Sequence, residues 1–185
     1  MDQLDQLRSR SEPVSGWRYW QLGPAPLGQL RSLSQRGFVW PPGRAQVARC
    51  ADGSWRSGGT AEAEQDHRAP ETDCGCGVHA SVDLASLQAQ ALCLRPVPLV
   101  IGQVALWGRV ITEERADRRG QDHRGQFAYP LHLWVVPETL GGVTEAQAVG
   151  ALGTYGVAVG VMALEEAVGE VSQTILRHLS MSTTT

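Results

Sequence analysis

The 185-residue chain contains no lysine and no asparagine, so all 16 of its basic residues are arginine. Isoleucine occurs only at positions 101, 111 and 175. The missing residue types use AT-rich codons, so this bias points to a GC-rich genome and carries no chemistry. No apolar run is long enough to span a bilayer, which argues against a membrane-spanning helix. The net charge of −3 excludes coating nucleic acid by bulk electrostatics, while leaving room for a local arginine patch. Also missing are a G-x-S-x-G elbow, a phosphate-binding loop, a dinucleotide glycine fingerprint and an H-E-x-x-H pair, so no familiar catalytic motif is in place. What is present, 42% hydrophobic and 19% charged residues, is the mix of a folded chain with a real core.

The opening MDQLDQLRSRSEP is polar and lacks the apolar stretch of a secretory signal. A cytoplasmic location is therefore expected, where disulfides rarely persist. Residues 1–15 are expected to be a flexible polar leader, 16–160 a β-barrel-like domain with a metal-tied loop at 50–79, and 161–185 an amphipathic helix with a frayed tail.

From Gly16 the texture becomes strand-like. GWRYWQL and RGFVW read as two strands, the second stopped by Pro41 and Pro42, and Arg44 to Cys50 as a third. Residues 51–73 form a long polar loop of the kind that something must tie down. SVDLASLQAQALCL follows, with Ser81 as the expected N-cap and Leu84, Leu87, Ala91 and Leu94 at helical spacing. VIGQVALWGRVI is the strongest strand, with Val100, Val104, Leu106 and Val110 on one face together with Gly102 and Gly108. Its expected partner is QFAYPLHLWVV, with Phe127, Tyr129, Leu131, Leu133 and Val135 on one face and Pro130 marking an edge or a bulge. Thr144 and Gln147 make a capping box for a helix that Gly156 would stop. VAVGV reads as a short strand, and Leu164, Val168, Val171, Ile175 and Leu179 form one helical stripe over about 162–179. The expected fold class is α+β, a small antiparallel barrel with two or three helices.

Cys50, His67, Cys74, Cys76 and His79 fall within thirty residues of one another. Zinc takes three or four nitrogen or sulfur ligands, and a polar loop without a core needs an anchor. The expected ligand set is Cys50, His67, Cys74 and Cys76, with His79 as the substitute nitrogen. Three thiolates and an imidazole favour a closed structural Zn2+ site over a catalytic one. Free thiols and a disulfide pair are the competing readings. Gly75 and Gly77 would free the backbone for a tight chelate turn, and Cys93 is read as a small buried hydrophobe.

The succession YW, WPPG, Cys50, HRAP, CGCGVHA, VALWGRV and FAYPL resembles a family of small actinobacterial and phage proteins of unassigned function, over roughly residues 17–160. That family carries C-x-C-G-I-Y-A and L-W-G-R-V segments. His79 stands where its pattern has tyrosine, which favours His67 as the ligand, and residues 112–126 are longer and richer in arginine than the pattern. GVHASVDLASLQ followed by VIGQVALWGRVI also resembles the PUA-like barrels, particularly the ASCH group. That resemblance implies a pseudobarrel with a cleft for a nucleobase or nucleic acid.

Three functional classes follow. A nucleic-acid or nucleobase binder would use Arg109, Arg115, Arg118, Arg119 and Arg124, with Trp107 and Tyr129 as stacking surfaces. A protein-interaction module, such as a phage or mobile-element regulatory subunit, would use the terminal segments. An enzyme, for example a small hydrolase of the ASCH type, would need a thiolate paired with His79, or Glu113 and Glu114 as base beside Tyr129. No reactive constellation stands out, so a non-enzymatic binding or regulatory protein is the expectation.

Overall fold

A computed structural model describes residues 10–24, 26–33, 38–50, 67–91, 94, 97–115, 120–170 and 172–173. The architecture grows from one long hairpin. β6 (Leu99–Glu114) and β7 (Gln121–Val135) pair antiparallel from Val100↔Val135 to Glu114↔Gln121. β1 (Arg10–Leu22) lies antiparallel on the other edge of β6, and β5 (Val78–Ser81) pairs with both β7 and β1. The path β1-β6-β7-β5 thus returns to its start as a partly closed ring. β2 (Leu30–Ser32) and β3 (Val39–Trp40) extend the β1 side, while β4 (Gln46–Val47) and β8 (Ala158–Val161) pair with β7. Among the described residues, three α-helices complete the α+β fold: α1 (Leu84–Gln88), α2 (Glu145–Leu152) and α3 (Leu164–Val168). β8 runs parallel to β7, so the sheet is mostly, not wholly, antiparallel.

Alternation along β6 sets the inside of the ring. Val100, Val104, Leu106 and Val110 are buried as expected, packed with Trp20, Leu22, Leu30, Trp40, Val78, Ala80 and Leu133. The start of β6 is buried on its other face too. Leu99 and Ile101 join Tyr19, Leu87, Met162, Leu164 and Val168 in a second cluster under α1 and α3. A fully buried aliphatic side chain of this size contributes about 1.5–3 kcal/mol, and both layers draw on the same strand.

Gly102 is where β7 presses hardest on β6. A Cβ there would sit 2.3 Å from the His132 carbonyl oxygen and 3.1 Å from the Trp20 ring. We expect Gly102→Ala to destabilise the chain by about 1–3 kcal/mol in chemical denaturation, because a fixed backbone must give way. Gly108, at φ +76°, occupies the register shift between Trp107 and Val110.

Several expected boundaries move. β1 begins at Arg10, so Arg10, Val14 and Ser15 pair with β6 across a register shift, whereas 1–9 lie outside the described residues. The β7 face is not continuous. A register shift sets Gln103↔His132 beside Val104↔Pro130, leaving Leu131 as the extra residue of a bulge. Ala128 and Pro130 are therefore buried before it and Leu133 and Val135 after it, while Leu131 is 47% exposed. Pro130 does mark a bulge, as its missing N–H requires. The N-cap of α1 is Asp83, whose carboxylate accepts from Ser86 N at 2.7 Å, and not Ser81, which ends β5 and donates to Asp122. α1 stops at Gln88, yet Leu87 and Ala91 still fill the second cluster. Cys93 lies outside the described residues.

The Thr144–Gln147 capping box forms, and Gly156 at φ +67° ends the turn that follows α2. The last helix is interrupted. α3 covers Leu164–Val168, both ends of it buried, and Gly169 breaks it at φ +76°. Val171, Ile175 and Leu179 lie outside the described residues. Among the described residues, no helix is long and apolar enough to cross a membrane.

Candidate metal centre

One edge of β7 is taken by β6. Its other edge is shared in succession by β5 at 122–125, β4 at 127–128 and β8 at 132–135. Cys50 lies just after β4 and Cys76 just before β5, so the segments flanking two neighbouring strands on this edge each carry a cysteine.

His67 and Cys74 complete the group. The Sγ atoms of Cys50, Cys74 and Cys76 and one ring nitrogen of His67 all lie within 4.8 Å of one another. Cys50 Sγ and Cys74 Sγ are 3.6 Å apart, and Cys76 Sγ is 3.4 Å from His67 Nε2. Tetrahedral zinc with bonds of about 2.3 Å to sulfur and about 2.0–2.1 Å to nitrogen has edges of about 3.8 Å between sulfurs and about 3.5 Å between sulfur and nitrogen. The two spacings match those edges. The sulfur pair is far beyond the roughly 2.05 Å of a disulfide, and all three cysteines are free thiols. The group could therefore hold a metal ion. Cys50 is 6% exposed and Cys76 9%, so an ion among them would be shielded from solvent.

The electrostatics divide the thiols. The backbone hydrogen bond from Cys76, followed by the one from the Cys50 thiol, pulls Cys74 down to about 7. Burial, followed by the Cys74 contact, pushes Cys50 up to about 12. Cys74 is the thiol most readily presented as thiolate, and the others would lose their protons to a bound cation, as metal ligation requires.

Two arginines hold this loop from outside the ligand set. Arg124 is 1% exposed. Its Nε and Nη2 donate to the two Glu113 oxygens at 2.8 and 2.9 Å. Its Nη1 donates to the carbonyls of Cys76 at 2.8 Å, Glu71 at 3.0 Å and Cys74. One guanidinium thus ties the backbone of two ligand residues to the hairpin. Arg109 grips Glu71 bidentately at 2.8 and 3.0 Å, and this pairing holds the Glu71 carboxyl at about 2. Gly77, at φ +129°, lies under Arg124, and a Cβ there would come within 3.0 Å of the Arg124 Cβ. Gly75 has open space and no positive φ, so of the two glycines only Gly77 has the conformational role expected of both.

The alternative ligand His79 is not in the group: its Nε2 faces the Gly75 carbonyl at 2.9 Å on an exposed strand position. The same bond takes it away from any thiolate. The arginines expected at a nucleic-acid surface are largely engaged. Arg124 is a correction, because its charge is consumed inside the fold. Arg109 is paired to Glu71, and Arg115 donates to the Ser86 carbonyl at 2.9 Å with Asp122 at 3.9 Å. Arg118 and Arg119 lie outside the described residues. Trp107 stacks on Phe127 with centroids 5.9 Å apart. The Tyr129 hydroxyl accepts from Gly43 N and donates to the Tyr155 carbonyl, which removes it from any general-base pair with Glu113 or Glu114. Glu71, which fixes Arg109, is the residue sequence reasoning missed, and Glu113, read there as a candidate base, instead fixes Arg124. Neither has a motif, since the pairing arises from distant strands. No protein-family model, curated protein or solved structure matches the chain.

Proposed function

We propose that the chain is a non-enzymatic binding or regulatory protein whose Cys50, His67, Cys74 and Cys76 hold a structural zinc ion. The observation that carries this reading is the four-atom group itself, with both measured spacings at tetrahedral edge lengths. Three thiolates and one imidazole leave no open coordination position, which suits a structural ion and not a hydrolytic one. The ion's work is mechanical. It fastens the end of β4 to the start of β5 along β7, at a place where no continuous backbone ladder does so. We expect close to one zinc per chain by mass spectrometry of the native protein, with three thiols masked until the metal is chelated. A metal-free protein with every thiol titratable would overturn the reading.

The binding partner we favour is nucleic acid or a nucleobase-like ligand. The partly closed ring and the order β5-α1-β6 support a PUA-like reading of the fold, and the arginine-rich β6–β7 hairpin tip supports the ligand class. With Arg109, Arg115 and Arg124 engaged, the cations left to carry contact are Arg118 and Arg119. Fluorescence anisotropy with a single-stranded oligonucleotide should show affinity falling steeply with salt, and Arg118→Glu with Arg119→Glu should abolish it. Binding that survives both changes, or no binding in wild type, would shift the assignment to a protein partner.

A further inference from the structure

On the edge of β1 away from β6, β5 pairs at Trp17 and β2 pairs at Trp20 to Leu22, so among the described residues Arg18 and Tyr19 have no strand beside them on that edge. The ring wall is broken there, and Arg18 lies across the break. Its Nη1 donates to the His79 carbonyl on β5 and its Nη2 to Ser32 Oγ on β2 at 3.1 Å. Its guanidinium carbon is 5.3 Å from the centre of the Trp40 ring, and Trp40 meets Trp20 edge-on with centroids 5.2 Å apart. These three side chains form one contiguous group.

That group is rich in donors and short of acceptors. Arg18 Nε, Trp20 Nε1 and Trp40 Nε1 are all buried, and none has a hydrogen-bond partner among the described residues. Trp20 is 0% and Trp40 2% exposed. Folded chains leave few buried donors unmade, so three on touching side chains call for an explanation. The guanidinium also has no carboxylate within 4.0 Å among the described residues, unlike Arg109, Arg115 and Arg124. A cation held in place by two of its nitrogens, with the N–H of the third, Nε, spare, is preorganised for an acceptor that carries negative charge.

From this juxtaposition we infer a small-ligand site at the break in the ring wall, in which Arg18 and the indole N–H groups of Trp20 and Trp40 bind an anionic oxygen group, a carboxylate or a phosphate. The site shares no residue with the metal centre and does not depend on the nucleic-acid reading. An anionic oxygen accepts several N–H bonds at once and neutralises the guanidinium, which neither a cation nor an apolar ligand would do.

The test uses the full chain, labelled with nitrogen-15 at its six tryptophans, with the Trp20 and Trp40 indole resonances assigned from Trp20→Phe and Trp40→Phe. Sodium acetate and inorganic phosphate are titrated separately against sodium chloride at matched ionic strength. The expected result is a saturable shift of those two indole signals with one of the anions and not with chloride. Arg18→Gln should weaken the apparent affinity about tenfold or more. A response to phosphate assigns a phosphorylated ligand, and a response to acetate alone a carboxylate. Indole protons that exchange with solvent and ignore both anions mean that water alone partners them, and overturn the site. So does a shift that chloride reproduces, or one that Arg18→Gln leaves intact. If that variant does not fold, the wild-type titration still decides.

Discussion

Cys74→Ser and Cys76→Ser will each release the metal and lower stability by about 3–5 kcal/mol, the range reached when a structural ion is lost. For a chain of this size that corresponds to a fall in melting temperature of roughly 10 °C or more. The size of the effect follows from where the ligands sit. Cys50 and Cys74 are 24 residues apart in sequence and 3.6 Å apart in space. Cys50 follows β4 and Cys74 precedes β5, so an ion held by both would join the two strand ends. Without the ion, closing the loop between them costs conformational entropy that only the Arg124 and Arg109 contacts remain to offset. The check is differential scanning calorimetry of wild type and both variants, with and without a chelator. Chelated wild type should melt close to the serine variants, and the chelator should leave those variants unmoved. Serine variants that melt with untreated wild type would show that the four side chains meet without an ion.

What the sequence made legible is the part written in local patterns. The alternation of Val100, Val104, Leu106 and Val110 announced β6, and Thr144 with Gln147 announced α2, because each depends on residues a few positions apart. The meeting of Cys50, His67, Cys74 and Cys76 was also legible, since cysteine and histidine declare their chemistry by type. The errors came where a partner strand decides. Phe127, Tyr129, Leu131, Leu133 and Val135 alternate faultlessly in sequence, but the bulge at Leu131 switches the buried phase partway along β7. Ile101 was not marked as core, because α1 and α3 cover the outer face only at that end of β6. Asp83 rather than Ser81 caps α1 because Ser81 still belongs to β5, pairing with Asp122. Arg124 was the largest misreading. An arginine beside Asp122 and His123 in a charged loop looks solvated, and only the pairing His79↔Arg124 reveals that it points under the metal loop.

That burial makes Arg124 a costly side chain to remove. Arg124→Met should destabilise the chain by about 3 kcal/mol in urea or guanidinium denaturation, the lower end of the range for breaking a buried charge pair. The lower end applies because Glu113 is 43% exposed and can turn to water once its partner is gone. Most of the loss instead comes from the carbonyls of Glu71, Cys74 and Cys76, which lose their donor inside the fold. Two comparisons separate these contributions. Glu113→Gln should cost well under the arginine change, since it spares the carbonyls. Arg124→Lys should recover only part of the loss, since an ammonium cannot span a carboxylate and three carbonyls as the planar fork does. Because two of those carbonyls belong to ligand residues, Arg124→Met should also weaken metal affinity. The Arg124 and Cys74 changes should then be non-additive, with the double variant less destabilised than the sum of the singles. Strict additivity would mean that the guanidinium supports the hairpin alone and that the metal loop keeps its shape without it.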